Sequence, residues 1–367
     1  MTVQDRIDYY GKELKQKIQS VLKKDKKNIV VMCFYDTYRS QYGDLLKKLR
    51  KKYNVIAIVP QMLHDDLENS VNEVIVAYWR FLENNVTYYV YLDIDGIDLI
   101  LTTDEVGYEG GKIDREFLHK NIKKMYMPHS LLLSTSAGAS FMDYIIVPTT
   151  ISKNEYENAK TKAKLLECGY PKLDFAISNY KYESKNTISY VSTLKFVDPN
   201  DIKTTNAVSG FESAILEYLL ENTNYNISYR AHPMNSKNNH TLYAMMKKKY
   251  ENNARISIDT TDGNLFCNFS DFIVTDYSTS AFTYSFSTLR PSFCITPYNS
   301  ISFYEEGLRK ICGIASNFKE LGSMLNNIDF EAHKQKIQQF RDEILFNPLK
   351  SSDYICDQID KILSGEL

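Results

Sequence analysis

The chain lacks the cysteine pattern of a disulfide-linked or zinc-binding protein. Its six cysteines lie far apart in 367 residues, no CxxC pair occurs, and no cysteine and histidine have zinc-site spacing. Several of the cysteines fall within apolar segments such as VVMCFY and PSFCIT. We therefore expect buried free thiols in a reducing cytoplasm.

An excess of basic charge is absent as well. The 44 lysine and arginine residues are balanced by 46 aspartate and glutamate residues, which gives a formal net charge of −2. Proteins that bind nucleic acids usually carry a basic surplus or a basic face, so no nucleic-acid partner is expected.

Long apolar runs are the third absence. No run of 18 apolar residues occurs, and the charged N-terminal segment MTVQDRIDYYGKELKQ lacks the apolar core of a signal peptide. We expect neither a membrane span nor a secretory leader. The composition, with 43% hydrophobic and 25% charged residues, is that of a globular protein with sizeable cores.

Apolar runs alternate with helical segments along the chain, which predicts βαβ units and parallel sheets. In the first half we predict strands in KNIVVMCFYD, NVIAIVP, TYYVYLDI, DLILTTD, KKMYMPHS and DYIIVPT, with helices over residues 4–25, 42–52, 68–84 and 152–164. In the second half we predict strands in TISYVST, NISYRAHP, ARISID, DFIVTD and PSFCITP, with helices including 212–221, 243–250, 279–286 and the region from 318 onward.

The strand and helix pattern restarts after a polar stretch at residues 177–187. We therefore predict an α/β protein of two domains, residues 1–180 and 181–330, that face a cleft. A third segment, residues 331–367, is predicted to be helical and to pack back on the first domain. Since ligands bind at the carboxyl ends of parallel strands, candidate functional residues should directly follow the predicted strands.

The strand DFIVTD is followed by a row of hydroxyl side chains. Asp276 ends the strand, and Ser278, Thr279 and Ser280 lie at the predicted start of a helix. Backbone N–H groups and the helix dipole at such a start bind anions, and the hydroxyls add hydrogen-bond donors. The row predicts a phosphate site. The alternative is a plain N-cap, for which one serine or threonine suffices.

Two histidines also follow predicted strands. His232 lies in SYRAHPMN before a proline, and His129 lies in MPHSLLLSTS before Ser130. Each imidazole has the chemistry to donate a hydrogen bond to a phosphate or to act as an acid or base. The alternatives are a surface-loop histidine at 232 and a core-edge histidine at 129.

Two further sequence features have both a structural and a functional explanation. Asp93 and Asp95 form a D-x-D, which holds a metal in some transferases but also suits a turn. The basic runs at 23–27, 47–52 and 247–249 suit solvated helix faces, or alternatively docking on anionic lipid.

Four short motifs follow one another in the chain: GYPKLD at 169–174, RAHP at 230–233, SDFIVTDYST at 270–279 and YEEG at 304–307. Their order resembles the CDP-glycerol glycerophosphotransferase family of teichoic-acid and capsule synthesis. Members of that family carry G-x-P-[KR]-x-D, R-x-HP, SD-x-hydrophobic-x-TDYSS and Y-x-x-G. The resemblance implies a GT-B architecture, two Rossmann-like domains of which the first serves the acceptor and the second binds the nucleotide donor.

Two positions depart from the family pattern. Many members have His-Gly where this chain has His129-Ser130. Many also have an acidic residue after the hydroxyls, where this chain has Ala281–Tyr284 and no carboxylate. These departures concern the details of the donor rather than the core chemistry.

The resemblance implies a reaction as well as a fold. A polyol phosphate of the glycerol phosphate type would pass from a CDP-activated donor to a hydroxyl of a cell-surface glycan or lipid-linked acceptor, releasing CMP. The family implies no required metal or other cofactor. A cytoplasmic location follows, with peripheral association at the inner face of the membrane as an option.

The resemblance also assigns roles to residues. His129 and His232 are implied to be catalytic, His129 as the base beside Ser130 on the acceptor side. Glu305 and Glu306 are implied to contact the cytidine ribose. The residues implied to hold the donor phosphates, together with His232, are Arg230, Asp276, Ser278, Thr279 and Ser280.

Two alternatives remain open from the sequence. A glycosyltransferase using CMP-sialic acid or CMP-Kdo would show a similar HP motif and hydroxyl cluster, with attack at an anomeric carbon. A non-catalytic partner in capsule assembly would share the fold, bind nucleotide poorly and not need His129.

Overall fold

The computed structural model describes residues 3–32, 40–60, 67–77, 79–82, 85–88, 92–107, 113, 118–132, 137–193, 202–232, 240–259, 265–296, 303–311 and 313–367. The chain forms two compact units. The first comprises Met1–Phe175 and Leu345–Leu367, and the second comprises Ala176–Ile344. The predicted boundary after residue 180 therefore falls beyond the observed one.

The first unit is built on a seven-stranded sheet in which every pair of neighbours is parallel. Its strand order is β3-β2-β1-β6-β7-β8-β9, so the order reverses between β1 and β6. The strands are β1 (Asn28–Met32), β2 (Asn54–Pro60), β3 (Glu73–Ala77), β6 (Leu99–Thr102), β7 (Lys123–Tyr126), β8 (Tyr144–Val147) and β9 (Lys164–Glu167). Strands β4 (Trp79–Leu82) and β5 (Asn85–Tyr88) form a separate antiparallel pair.

The helices of the first unit cover both faces of this sheet. Leu14 and Ile18 of α1, one helical turn apart, are buried in the same core cluster as Val30 and Ile100 of the sheet. The helices are α1 (Val3–Val21), α2 (Leu45–Leu49), α3 (Thr150–Asn158), α4 (Pro171–Asn179), which runs across the unit boundary, and the C-terminal α11 (Ser351–Ser364).

The last helix of the chain belongs to the first unit. Ile355, Ile359 and Ile362, at helical spacing, are fully buried in the core cluster that lies beneath β1 and β2. Lys48 of α2 pairs with Asp353 of α11 at 2.6 Å. The predicted segment 331–367 is therefore divided, because its residues up to Ile344 belong to the second unit and Leu345–Leu367 belong to the first.

The second unit has a six-stranded parallel sheet of order β12-β11-β10-β13-β14-β15. The order reverses between β10 and β13. The strands are β10 (Thr187–Val191), β11 (Asn226–Arg230), β12 (Ile256–Ile258), β13 (Phe272–Thr275), β14 (Ser292–Ile295) and β15 (Gly313–Ala315). The helices are α5 (Ile202–Asn222), α6 (His240–Tyr250), α7 (Ser280–Thr288), α8 (Phe303–Ile311), α9 (Phe318–Asn326) and α10 (Phe330–Ile344).

The prediction of two parallel α/β units is confirmed, but one predicted element is wrong. The described residues of segment 68–84 form no α-helix; they contribute β3 and β4. Their β-branched and aromatic residues, as in EVIVA and WRFL, favour a pleated strand over a helix. The predicted helix over 152–164 also ends early, at Asn158, and β9 follows it.

The expectation of buried free thiols is confirmed for three of the cysteines. Among the described residues Cys168, Cys267 and Cys294 are buried free thiols, and Cys356 is a half-buried one; Cys33 and Cys312 lie outside the described residues. None of the helices in the described segments is long and apolar enough to cross a membrane.

Gly169 provides a test of how the chain terminus packs on the first unit. Its φ is +94°, and a Cβ there would collide with the Phe346 carbonyl oxygen and the Ser351 hydroxyl. Gly169→Ala should therefore destabilise the protein by at least about 2 kcal/mol. In contrast, Gly210→Ala in helix α5, where a Cβ meets nothing within 4 Å, should stabilise it by about 0.5–1 kcal/mol. Denaturant unfolding measures both, and a neutral Gly169→Ala would contradict the packing.

Candidate functional site

The sheet of the second unit reverses its strand order between β10 and β13, and polar groups gather at the carboxyl ends of these two strands. Parallel sheets of this type bind ligands at such a reversal. The Thr275 hydroxyl donates to the Val191 carbonyl oxygen (2.7 Å), and the Asp276 carboxylate accepts from the Thr193 N–H (2.7 Å). The two strand ends are thus tied together at the position where a ligand is expected.

The turn from β13 into helix α7 has a strained backbone. Tyr277 has a φ of +108°, a conformation that side-chain-bearing residues rarely adopt. The Thr275 hydroxyl accepts from the Ser278 N–H (2.9 Å) and holds the turn closed. Strain of this kind persists only where surrounding bonds enforce it, and it is concentrated at functional sites.

The hydroxyl row lies at the start of helix α7, as predicted. Thr279 is the N-cap residue but makes no side-chain capping bond, while the Ser278 hydroxyl accepts from the Ser280 N–H (3.2 Å). The helix behind this start is buried along its whole length, from Ala281 to Thr288. The start of a buried helix at a sheet reversal presents a partial positive charge to an incoming anion.

A buried hydrogen-bond network, which was not predicted from the sequence, holds the carboxyl ends of these strands. Asp276, 6% exposed, accepts from the Tyr190 hydroxyl (3.2 Å), and the Tyr190 ring stacks on Tyr229 at 5.9 Å. The Tyr229 hydroxyl donates to Glu212 (2.8 Å), a fully buried carboxylate of α5 that also accepts from the Ser192 hydroxyl. Burial and the adjacent carboxylates raise the pKa of both tyrosines, so each remains a hydrogen-bond donor.

Arg230 is the last residue of β11, the neighbour of β10, and His232 lies two residues beyond it. The Arg230 guanidinium pairs with Asp259 at 2.8 Å, with both side chains largely buried. Burial, and secondarily the Arg230 charge, lowers the pKa of His232 to about 4. His232 is therefore a neutral imidazole near pH 7, in which one ring nitrogen is a hydrogen-bond donor and the other an acceptor.

In the first unit, His129 and Ser130 lie a few residues beyond the end of β7, at the carboxyl edge of the sheet. His129 is half-buried, and its backbone carbonyl oxygen accepts from the Tyr170 hydroxyl at 2.9 Å. The hydroxyls of Ser130 and of Thr103, which follows the neighbouring strand β6, are buried and have no hydrogen-bond partner among the described residues. Buried polar atoms without partners are costly, so a ligand or water that satisfies them would be stabilised here.

The other candidate residues from the sequence lie either outside the described residues or away from the carboxyl edges of the two sheets. The side chains of Glu305 and Glu306, in helix α8, are outside the described residues. Asp93 and Asp95 are exposed in the segment before β6, at the amino edge of the first sheet. In the described part of the chain, no group of three or more histidine, cysteine or acidic side chains is arranged to hold a metal.

Two surface cavities, of about 280 and 380 Å³, also lie at the amino edge of the first sheet. They are lined by charged side chains of both signs, including Lys27 and Asp98, which pair at 2.9 Å. Because parallel sheets bind ligands at the opposite edge, we place the candidate site at the carboxyl ends and not in these cavities.

Comparison with known proteins identifies the family. The sequence profile of CDP-glycerol:poly(glycerophosphate) glycerophosphotransferases matches residues 122–361, which is more than half of the chain. The chain belongs to this family. Members of the glycerophosphotransferase family are enzymes, and membership makes this chain a transferase that uses a CDP-activated glycerol phosphate donor. Neither the CMP-sugar alternative nor the non-catalytic alternative is favoured by the match.

Solved structures agree on the fold. A variant of the wall teichoic acid polymerase TagF is 20% identical, with a TM-score of 0.59 over 98% of this chain and 93% of that one. A putative UDP-N-acetylglucosamine 2-epimerase from Listeria monocytogenes is 13% identical, with a TM-score of 0.58 over 92% and 96%. The UDP-GlcNAc 2-epimerase of Methanocaldococcus jannaschii is 13% identical, with a TM-score of 0.53 over 91% and 99%. No curated protein sequence matches this glycerophosphotransferase-family chain.

The lowered pKa of His232 predicts a pH-dependent contribution to stability. The unfolded chain binds this proton near pH 6.5 and the folded chain only near pH 4, so the contribution is present above pH 6.5 and lost as the pH falls toward 4. Between about pH 7 and about pH 5, the parent should lose about 2 kcal/mol more unfolding free energy than His232→Gln. Urea unfolding measures this loss, with His333→Gln as the matched control; equal losses in parent and His232→Gln would contradict the assignment.

Proposed function

We propose that the second unit binds the diphosphate of CDP-glycerol at the start of helix α7, with His232 donating an N–H to a phosphate oxygen. The main support for this proposal is the strained turn at Tyr277. This turn places the start of a buried helix at the point where the strand order of the sheet reverses. The Thr279 and Ser280 hydroxyls add donors to the backbone N–H groups.

The proposal gives Asp276 and Arg230 supporting roles rather than direct contact with phosphate. The Asp276 carboxylate already accepts from Thr193 and Tyr190, and a carboxylate would repel a phosphate. Arg230 is paired with Asp259, which fixes its guanidinium and reduces its net charge toward an anion. Both residues hold the groups that bind the donor, Asp276 the turn and Arg230 the segment that carries His232.

In the proposed reaction, His129 of the first unit takes the proton from an acceptor hydroxyl. The acceptor oxygen forms a bond to the β-phosphorus, and the bond between that phosphorus and the oxygen bridging to the α-phosphorus breaks. CMP leaves with the bridging oxygen, and the glycerol phosphate remains on the acceptor. The helix start, the hydroxyls and His232 stabilise the charge of the departing phosphate, the dominant contribution in such transfers.

The acceptor is proposed to be a hydroxyl of a glycan or of a lipid-linked polymer carrying glycerol phosphate. No resident metal is included, because the protein groups named above supply the charge stabilisation. The buried hydroxyls of Ser130 and Thr103, which have no hydrogen-bond partner among the described residues, could bond to an oxygen of the acceptor substrate.

His129→Gln provides the test of the base. Release of CMP from CDP-glycerol onto a synthetic glycerol phosphate oligomer should fall by about 100-fold or more, since a positioned base contributes about 10²–10⁴-fold. His119→Gln is the matched control, because His119 lies in the same unit at the amino edge of the sheet. Parent activity should persist in EDTA. Undiminished turnover by His129→Gln would remove the base assignment, and loss of parent activity in EDTA would require a metal.

Peripheral association with the inner face of the cell membrane is the last part of the proposal. Several lysines of the basic runs are ion-paired, as Lys48 is with Asp353 and Lys52 with Asp360, while Lys24, Lys26, Lys47 and Lys51 are exposed. Each exposed basic residue near anionic lipid contributes about 1 kcal/mol.

Sedimentation with phosphatidylglycerol-containing vesicles tests this association. The bound fraction should fall as salt is added, because surface charge interactions are screened. A fourfold substitution of Lys24, Lys26, Lys47 and Lys51 by glutamine should abolish binding. Absent binding, or binding that does not respond to salt, would leave these lysines as solvated surface residues.

A further inference from the structure

Tyr170, in the GYPKLD motif, lies three residues beyond the end of β9 and is almost fully buried. Strand β8 separates β9 from β7 in the sheet, yet the Tyr170 hydroxyl reaches the carbonyl oxygen of His129, which follows β7. The motif therefore contacts the backbone of the histidine that is proposed to act as the base. Nothing in the motif's sequence suggests this long-range contact.

Two side chains donate hydrogen bonds to the His129 carbonyl oxygen. A phenol has one hydrogen, and Tyr170 donates it to the His129 oxygen at 2.9 Å. With its amide oriented to suit its neighbours, Gln41 donates both to the Tyr170 hydroxyl and to the His129 oxygen (3.2 Å), and accepts from Lys172 (3.1 Å). The carbonyl thus has two donors, which fix the peptide plane between His129 and Ser130.

The backbone of Tyr170 is held by the C-terminal part of the chain. Its backbone N–H donates to the Ser351 hydroxyl at 2.8 Å. Asp174, the last residue of the motif, accepts from the N–H groups of Leu349 and Ser351, both at 2.8 Å. Gly169, the first, leaves the space that the Phe346 carbonyl oxygen and Ser351 occupy. The motif is therefore anchored at both ends.

We infer that Tyr170, assisted by Gln41, is a positioning residue that orients His129 for proton transfer. The inference rests on the proposed function, because it requires that His129 acts as the base. Tyr170 acts through the backbone carbonyl and needs no contact with donor or acceptor. A displacement of about 1 Å in a reacting group costs about 100-fold in rate, so loss of this bond should be visible in turnover.

Tyr170→Phe removes only the hydroxyl and should lower kcat for CMP release from CDP-glycerol by about 10–100-fold. Its Kd for CDP-glycerol should equal that of the parent, because the proposed donor site is in the other unit. Tyr284→Phe is the matched control: that hydroxyl is equally buried and also donates to a backbone carbonyl, Ser270, at 2.7 Å, but at the amino end of β13. It should lower stability to a similar extent without lowering kcat.

The decisive comparison repeats Tyr170→Phe in the His129→Gln background. If Tyr170 acts through His129, the double variant should be as active as His129→Gln alone, since effects within one functional unit are not additive. A full additional loss in the double variant, or a kcat unchanged by Tyr170→Phe, would overturn the inference while leaving the base assignment intact. An unaffected His129→Gln would instead overturn the proposed function.

A second variant keeps the inference testable if Tyr170→Phe does not fold. Gln41→Leu removes the other donor to the same carbonyl and should lower kcat in the same direction, again without effect in the His129→Gln background. Loss of activity from Gln41→Leu that adds to the loss from His129→Gln would count against positioning.

Discussion

The strained turn between β13 and α7 is the constraint on which the proposed donor site depends. Tyr277 holds a positive φ because Thr275 and Asp276, on its N-terminal side, are bonded to the end of β10, and Ser278, on its other side, is bonded back to Thr275. This arrangement turns a buried strand sharply into a buried helix. It places the helix start, with its backbone donors and hydroxyls, at the reversal of strand order where parallel sheets bind their ligands.

In both units the side chains proposed to act on the substrates lie on short segments, and buried groups from elsewhere in the sequence hold those segments. In the second unit, Glu212 and Asp276 connect through two stacked tyrosines to the ends of β10 and β11. In the first unit, Tyr170 and Gln41 hold the carbonyl of His129. Rigid placement of this kind is what proximity and orientation require of a transferase with little covalent chemistry of its own.

Much of the fold could be predicted from the sequence, because buried parallel strands appear as short apolar runs and the hydroxyl row marks the start of α7. The strand forming at 73–77 was missed since the apolar residues of EVIVA suit a helix or a strand by spacing alone. The burial of Glu212 was not predictable, as it depends on Ser192 and Tyr229 from other elements. The contact between Tyr170 and the His129 carbonyl oxygen was not predictable for the same reason.

The measurement that most directly tests the central claim, a two-phosphate donor site in the second unit, is the thermal shift of the protein with CMP, CDP, CDP-glycerol, UDP and GDP. Each nucleotide is tested on the parent and on His232→Ala. We predict stabilisation by CDP and CDP-glycerol that is lost in the variant, because ligands that bind only the folded state raise its stability. Stabilisation by CMP alone, or no response to any cytidine nucleotide, would contradict it.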